Sequence, residues 1–309
     1  MSTTSKSPRK VALVALEIGR EALPQYCHRF SPKVFTQPQL FACLVLKQFF
    51  KTDYRGITGI LADMPSVCQA IGLQRVPHWT TLQKASKRLL RNAAVQKLLD
   101  ASVDRTSRGG RRQRVKRAAV DSTGFEVQQT SHYFVRRRAK GRKDWQITTY
   151  KRFPKLDLLV DCSNHMVLAA MAERGPGPDI THVVPIVYQA CGRAEIETLL
   201  ADAGYDAEWV HWLGREAMEI RTLIPPKIGR PTDKPPTGYY RRLMSQRLHL
   251  TCYGQRWQVE TVMSMVKRRQ GSAVNARTYW SQCRALMLKA VTHNILILYA
   301  LTESTRQAA

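Results

Sequence analysis

The stretch YGQRWQVETVMSMVK, Tyr253 to Lys267, carries Tyr253, Arg256, Glu260 and Lys267 in the spacing Y-x2-R-x3-E-x6-K. At about 100° of rotation per helical residue these four side chains fall within roughly a 60° arc, so a helix would line them up on one stripe. Val259, Val262, Met263 and Val266 form an apolar stripe beside it. The spacing predicts an amphipathic helix docked on a core, presenting one acid flanked by two cations and a phenol. Taken alone, such a face is more simply a solvated surface with ordinary ion pairs. A site requires other carboxylates to converge on Glu260.

Working outward, the composition bounds the partner. The 309 residues favour two domains, and the 49 Lys and Arg against 23 Asp and Glu leave a net charge of +26. An excess of that size attracts a polyanion, and phosphate neutralisation with counterion release is its usual physical use. Nucleic acid is therefore the expected partner. A lipid surface fits less well, because the basic residues are not gathered on one amphipathic helix. No run of 18 apolar residues is present, and the start MSTTSKSPRK lacks a signal-peptide core, so a soluble cytoplasmic protein is expected. The seven cysteines show neither C-x2-C pairs nor zinc-ligand spacing and read as reduced thiols.

Upstream, residues 1–103 read as helices. VALVALEIGREALPQY is helical up to Pro24, and TQPQLFACLVLKQFF places Thr36 as N-cap, with Pro38 in the first turn, of a buried helix. Further patterns break at Gly72 and Pro77. A Thr-initiated helix with Gln83, Lys84, Lys87 and Arg88 fits a recognition helix and a plain bundle helix equally well. Seven of the fourteen residues 104–117 are Arg or Lys, and residues 104–116 are read as a basic linker.

Strand patterns then take over. Residues 117–123 form an apolar run ending near Asp121. A basic cluster containing His132, Tyr133, Arg136, Arg137 and Arg138 reads as an exposed loop or hairpin. Strands are predicted over 156–163 and 165–173 with a turn at Ser163 and Asn164, a helix over 179–191, a strand over 196–201 ending at Asp202, a helix over 206–216 and a strand over 219–225. The alternation describes an α/β domain, 117–309, with a mixed sheet. Residues 225–250 read as a short insertion, and a final amphipathic helix near 283–301 covers the sheet.

In open α/β sheets functional groups gather beyond the carboxyl ends of strands, where Asp121 and Asp202 both fall. Singly, each is more often a turn-former. With Glu260 they supply three hard oxygen ligands from separate elements, the set that Mg2+ or Mn2+ needs; two such ions can activate a nucleophile and stabilise a leaving oxygen in phosphoryl transfer. Asp161, Asp179 and Asp206 rank below Asp202, the first as a turn residue and the second as an N-cap. His293 and Asn294 are read as satisfying local hydrogen bonds, and Trp257 as packing.

The combination VDSTG, LADAGYD and YGQRWQVETVMSMVK resembles the bacterial insertion-sequence DDE transposases that carry the Y-R-E-K signature, and PHWTTLQK and THNILIL are similar too. The resemblance covers most of the chain. It implies an RNase H-like catalytic domain preceded by an all-α region that grips transposon ends. It also implies that Asp121, Asp202 and Glu260 hold two divalent ions, Mg2+ or Mn2+, for cleavage at transposon ends and strand transfer into target DNA. Tyr253, Arg256 and Lys267 would hold phosphates, and Arg136, Arg137 and Arg138 would contact DNA. The implied partners are the terminal inverted repeats and target duplex, with at least a dimer to join two ends. A metal-dependent nuclease and a non-catalytic DNA-binding descendant are the competing functions.

Overall fold

The computed structural model describes residues 6–107, 112–127, 153–227 and 235–307. Six helices come first: α1 (Pro8–Ala22), α2 (Gln37–Phe49), α3 (Tyr54–Asp63), α4 (Pro65–Ala70), α5 (Trp79–Leu89) and α6 (Asn92–Asp104). Thr36 caps α2 as its sequence predicts, in a reciprocal box with Gln39. Helix α5 starts earlier than its threonines suggest, because the His78 ring accepts the Thr80 N–H and takes the capping position.

The remaining elements are β1 (Gln113–Val115), β2 (Ala118–Gly124), β3 (Glu126–Val127), β4 (Phe153–Asp161), β5 (Val167–Gly175), α7 (Val183–Arg193), β6 (Ala194–Ile196), β7 (Thr198–Leu200), α8 (Glu208–Trp212), β8 (Arg221–Leu223), α9 (Tyr239–Arg247), α10 (Trp257–Gln270), β9 (Ala273–Val274) and α11 (Tyr279–Gln307). Five strands form one mixed sheet in the order β5-β4-β2-β7-β8. Strands β5, β4 and β2 run antiparallel, while β2, β7 and β8 run parallel. The last β2–β7 pair is Ala119 and Leu200, so Asp202 follows the end of β7 while Asp121, expected at a strand end, lies in the middle of β2; each is two residues beyond that pair.

The β4–β5 turn differs in place from its prediction. Asp161 Oδ1 accepts both the N–H and the O–H of Ser163, and His165 adopts a left-handed backbone (φ 64°), so the reversal occupies residues 162–166 and both strands shift outward from it. The single run predicted over 196–201 is divided: β6 pairs with β1 and β7 pairs with β2. The stretch 225–250, read as a loop leading to the next helix, contains α9. Glu208 accepts the N–H groups of Tyr240 and Arg241 at the amino end of that helix, an approach left open by Gly238, whose added Cβ would meet the Glu208 carboxylate.

Two apolar clusters sandwich the sheet. On one side, Ala119, Leu156, Leu158 and Val160 meet Val259, Val262 and Val266 of α10, the apolar face of α11 and the buried residues of α1, α2 and α6. On the other, Val120, Leu159 and Leu199 meet Val183, Ile186, Val187 and Ala190 of α7 and Val210 of α8. The strand period of two assigns alternate β2 residues to opposite clusters. His293 and Asn294 do more than satisfy local groups. His293 bonds the His165 carbonyl, and Asn294 bonds both backbone groups of Val167 and the Ser102 hydroxyl, tying α11 to β5 and α6. All seven cysteines are free thiols, and no described helix is long and apolar enough to cross a membrane.

Candidate active site

Strand alternation turns Asp121, two residues after Ala119, toward the α10 side of the sheet. Its Oδ1 accepts the Ser122 N–H at 2.8 Å, and its side chain is 16% exposed. Burial pushes this carboxyl up to about 6; the Asp202 and Asp179 charges add to the rise, while the Ser122 N–H and Arg256 oppose it. Asp202 lies two residues past the end of β7 and caps a 3-10 turn, Ala203–Tyr205, by accepting the Gly204 N–H at 2.8 Å.

The opening stretch is not one continuous α-helix. Tyr253–Arg256 forms a 3-10 turn, and α10 begins at Trp257. The tighter winding, in which residues three apart eclipse, sets Tyr253 in line with Arg256: its phenol is pushed up by burial, with Asp202 and Asp121 adding and Arg256 opposing. The Arg256 guanidinium bridges two acids, with Nη2 2.5 Å from Glu260 Oε1 and Nη1 3.6 Å from Asp121 Oδ2. Glu260 lies in the first turn of α10 and is 53% exposed. Lys267, two turns further on, sits over the Phe125 ring at 5.3 Å, where burial lowers its pKa and Glu126 opposes the fall. Trp257, expected to pack, is 52% exposed.

The far end of α10 is fixed by polar contacts with α2 and α11. Gln48 Nε2 donates to the Gln270 carbonyl and Lys51 Nζ to the Arg268 carbonyl, each at 2.8 Å, while Lys289 Nζ donates to the carbonyls of Gln270 and Gly271. Lys289 is buried and pushed down to about 7, by desolvation first and then by Lys47 and Lys51.

Asp206 is already committed elsewhere: both its oxygens accept from Arg241, and it also takes the Lys227 N–H. Asp179 does not cap its turn. Its Oδ1 accepts the Ser122 hydroxyl at 2.8 Å and pairs with Lys155 at 2.5 Å. It belongs to a group on the α7 side of the sheet, made of buried Lys155 and Asp157 with half-buried Glu173, Asp179 and His182, which the sequence reading missed. The available signal was Lys155 and Asp157, two polar residues at period two within an apolar strand.

Among the described residues, the group whose ligand atoms all lie within 4.8 Å of one another is Asp157, Glu173 and His182. Asp121, Asp202 and Glu260 are more widely spread, with Arg256 between two of them. Arg136, Arg137 and Arg138, like His132 and Tyr133, lie outside the described residues.

A parallel strand pair thus carries Asp121 on one strand and Asp202 just past the other, opposed by a helix bearing Glu260. The model of the Transposase DDE domain family matches residues 114–295. The chain belongs to that family. A comparison with curated proteins finds no match. The matched span begins at β1 and ends within α11, so it takes in the whole five-stranded sheet and α10. A mixed sheet flanked by helices is compatible with an RNase H-like DDE domain, and the helices α1–α6 precede it.

Proposed function

We propose that this DDE-domain protein is an insertion-sequence transposase of the Y-R-E-K type. On this reading it binds double-stranded DNA at transposon terminal repeats, cleaves a phosphodiester there and joins the freed 3'-hydroxyl to target DNA. Asp121, Asp202 and Glu260 are assigned to hold two divalent ions, Mg2+ or Mn2+. The reading is carried by Asp121 and Asp202, each two residues past the last β2–β7 pair, with Asp121 joined to Glu260 through Arg256.

The donor set fits hard cations. It is all carboxylate oxygen, and the rise in the Asp121 pKa caused by burial and by Asp202 marks a place where added positive charge is favourable. When bound, such ions lower the pKa of water and neutralise charge developing on a phosphoryl oxygen. The chain's own residues bind and orient the DNA. The Arg256 guanidinium offers a planar fork that matches two phosphate oxygens, and Lys267 offers a point charge. The Tyr253 phenol, pushed up, stays protonated at neutral pH and donates an O–H to phosphate rather than acting as a base. Residues 1–103 and the basic linker 104–116 are assigned to gripping the ends, Arg136, Arg137 and Arg138 to contacting DNA beside the site, and two copies to pairing two ends.

The test is nicking of supercoiled plasmid with Mg2+ by wild type and by Asp121→Asn, Asp202→Asn and Glu260→Gln. Each substitution is expected to lower the rate by about 10^4-fold, ~5.4 kcal/mol at 1.36 per decade. Wild-type cleavage by any one of them removes that residue from the site. On end-bearing DNA, cleavage without joined products would identify a nuclease, and binding without cleavage a non-catalytic DNA-binding protein.

A further inference from the structure

We propose that Ser122 and Asp179 are positioning residues that hold the Asp121 carboxylate from the opposite face of the sheet, with Lys155 anchoring Asp179. The inference rests on the metal-holding role assigned to Asp121. Ser122 bonds both groups: its backbone N–H donates to Asp121 Oδ1 at 2.8 Å, and its hydroxyl donates to Asp179 Oδ1 at 2.8 Å. Because β2 alternates, Asp121 points toward α10 while Ser122 points toward α7, directly across from Asp157 on β4.

Behind Asp179 the support is rigid. Lys155 is 3% exposed and paired across strands with Glu173. Its ammonium lies 2.5 Å from Asp179, 2.6 Å from Glu173, 3.8 Å from Asp157 and 3.2 Å from the Gly177 carbonyl. His182 Nδ1 completes the group at 3.1 Å from both Asp157 and Glu173. A buried ionic network of this kind contributes little net stability compared with apolar packing, and fixing a geometry is its better-attested use. Here the geometry it fixes is β2 at Asp121 and Ser122.

The lysine also answers the competing assignment. Asp157, Glu173 and His182 have metal-like spacing, but an internal cation, Lys155, already lies against Glu173 and Asp179 and offsets part of the group's charge. Hydrogen-bond partners of a metal-holding carboxylate set its orientation, and their loss typically weakens metal affinity or activity about 10- to 100-fold.

The experiment is a Mn2+ titration of the full chain, followed by electron paramagnetic resonance of the free ion, alongside plasmid nicking. Wild type is compared with Asp121→Asn, Ser122→Ala, Ser122→Thr, Asp179→Asn and Asp157→Asn, each with its melting temperature. Ser122→Ala and Asp179→Asn are expected to weaken the Asp121-dependent Mn2+ site about 10-fold. Ser122→Thr, which keeps the hydroxyl, is expected to stay within about 3-fold of wild type. Unchanged affinity in Ser122→Ala overturns the proposal, as does Ser122→Thr being as weak as Ser122→Ala at an equal melting temperature. Mn2+ binding lost in Asp157→Asn but kept in Asp121→Asn also overturns it, because the metal would then occupy the group on the α7 side. Mn2+ binding that depends on Asp121 and Ser122 without any nicking by wild type would sink the transposase reading and leave the positioning role standing.

Discussion

Two acidic groups share strand β2 and face opposite ways. Toward α7, Asp157, Glu173 and Asp179 surround Lys155, a cation built into the adjacent strand and almost wholly buried. Toward α10, Asp121 and Asp202 each lie two residues past the last β2–β7 pair, and the neighbouring cation is Arg256, which also reaches an exposed Glu260. The first group has part of its charge offset by a residue that cannot leave. The second relies on a long side chain at the protein surface, and so remains available to an incoming cation and a phosphate. Similar residue types thus make a fixed support in one place and a candidate reaction centre in the other, and the difference is who supplies the positive charge.

Removing the built-in cation should break the comparison most severely. Lys155→Met leaves three carboxylates in a buried site without their counter-charge, and stability is expected to fall by about 3–5 kcal/mol. Urea denaturation followed by circular dichroism measures this, and a loss under about 1 kcal/mol would show that the group is far better solvated than its burial implies.

The surface cations should behave differently. Arg256→Ala is expected to weaken binding to end-bearing DNA several-fold and to reduce the slope of log affinity against log salt by about 1. Lys267→Ala should do less, because its ammonium is partly engaged by the Phe125 ring. Equal slopes for wild type and Arg256→Ala, measured by fluorescence anisotropy over a salt series, would confine Arg256 to holding Glu260.

The smallest effect is a gain in stability. A carboxyl raised to about 6 binds more protons in the folded than in the unfolded chain between its ordinary 3.8 and 6, so stability falls as pH rises through that window and stays reduced above it. Asp121→Asn removes the burden. In metal-free buffer at pH 7.5 it should melt about 2–4 °C above wild type, an advantage that vanishes toward pH 4. A lower melting temperature at pH 7.5 would mean that Asp121 is held by its partners more strongly than it is penalised by burial.

Much of this was legible locally. Thr36 and Gln39 specify the start of α2, the apolar runs around Val120 and Leu199 specify central strands, and the valines of α10 specify its buried face. Elements whose bounds depend on distant groups were not legible. Helix α9 hides in a Pro-rich stretch because its start is held by Glu208, thirty residues away. The reversal at 162–166 is closed by Asp161, and the 3-10 turn at Tyr253–Arg256 interrupts a pattern that satisfies α-helical spacing throughout. Asp179 looked like a cap because nothing nearby in sequence announces Ser122 or Lys155 as its partners.

By itself, then, the sequence determined the strand and helix periods, the surplus of positive charge and the presence of an acid on or just after each of two apolar strands, because those follow from side-chain chemistry and short-range sterics; that β2 runs on past Asp121 to Gly124 depends on its pairing with β4. Tertiary structure alone decided which acids share a cation, since strand order set Lys155 beside Glu173 and put Asp202 next to Asp121. It also gave Ser122 a bond to each group, because consecutive residues of a strand face opposite sides of the sheet while a backbone N–H still reaches the neighbouring carboxylate.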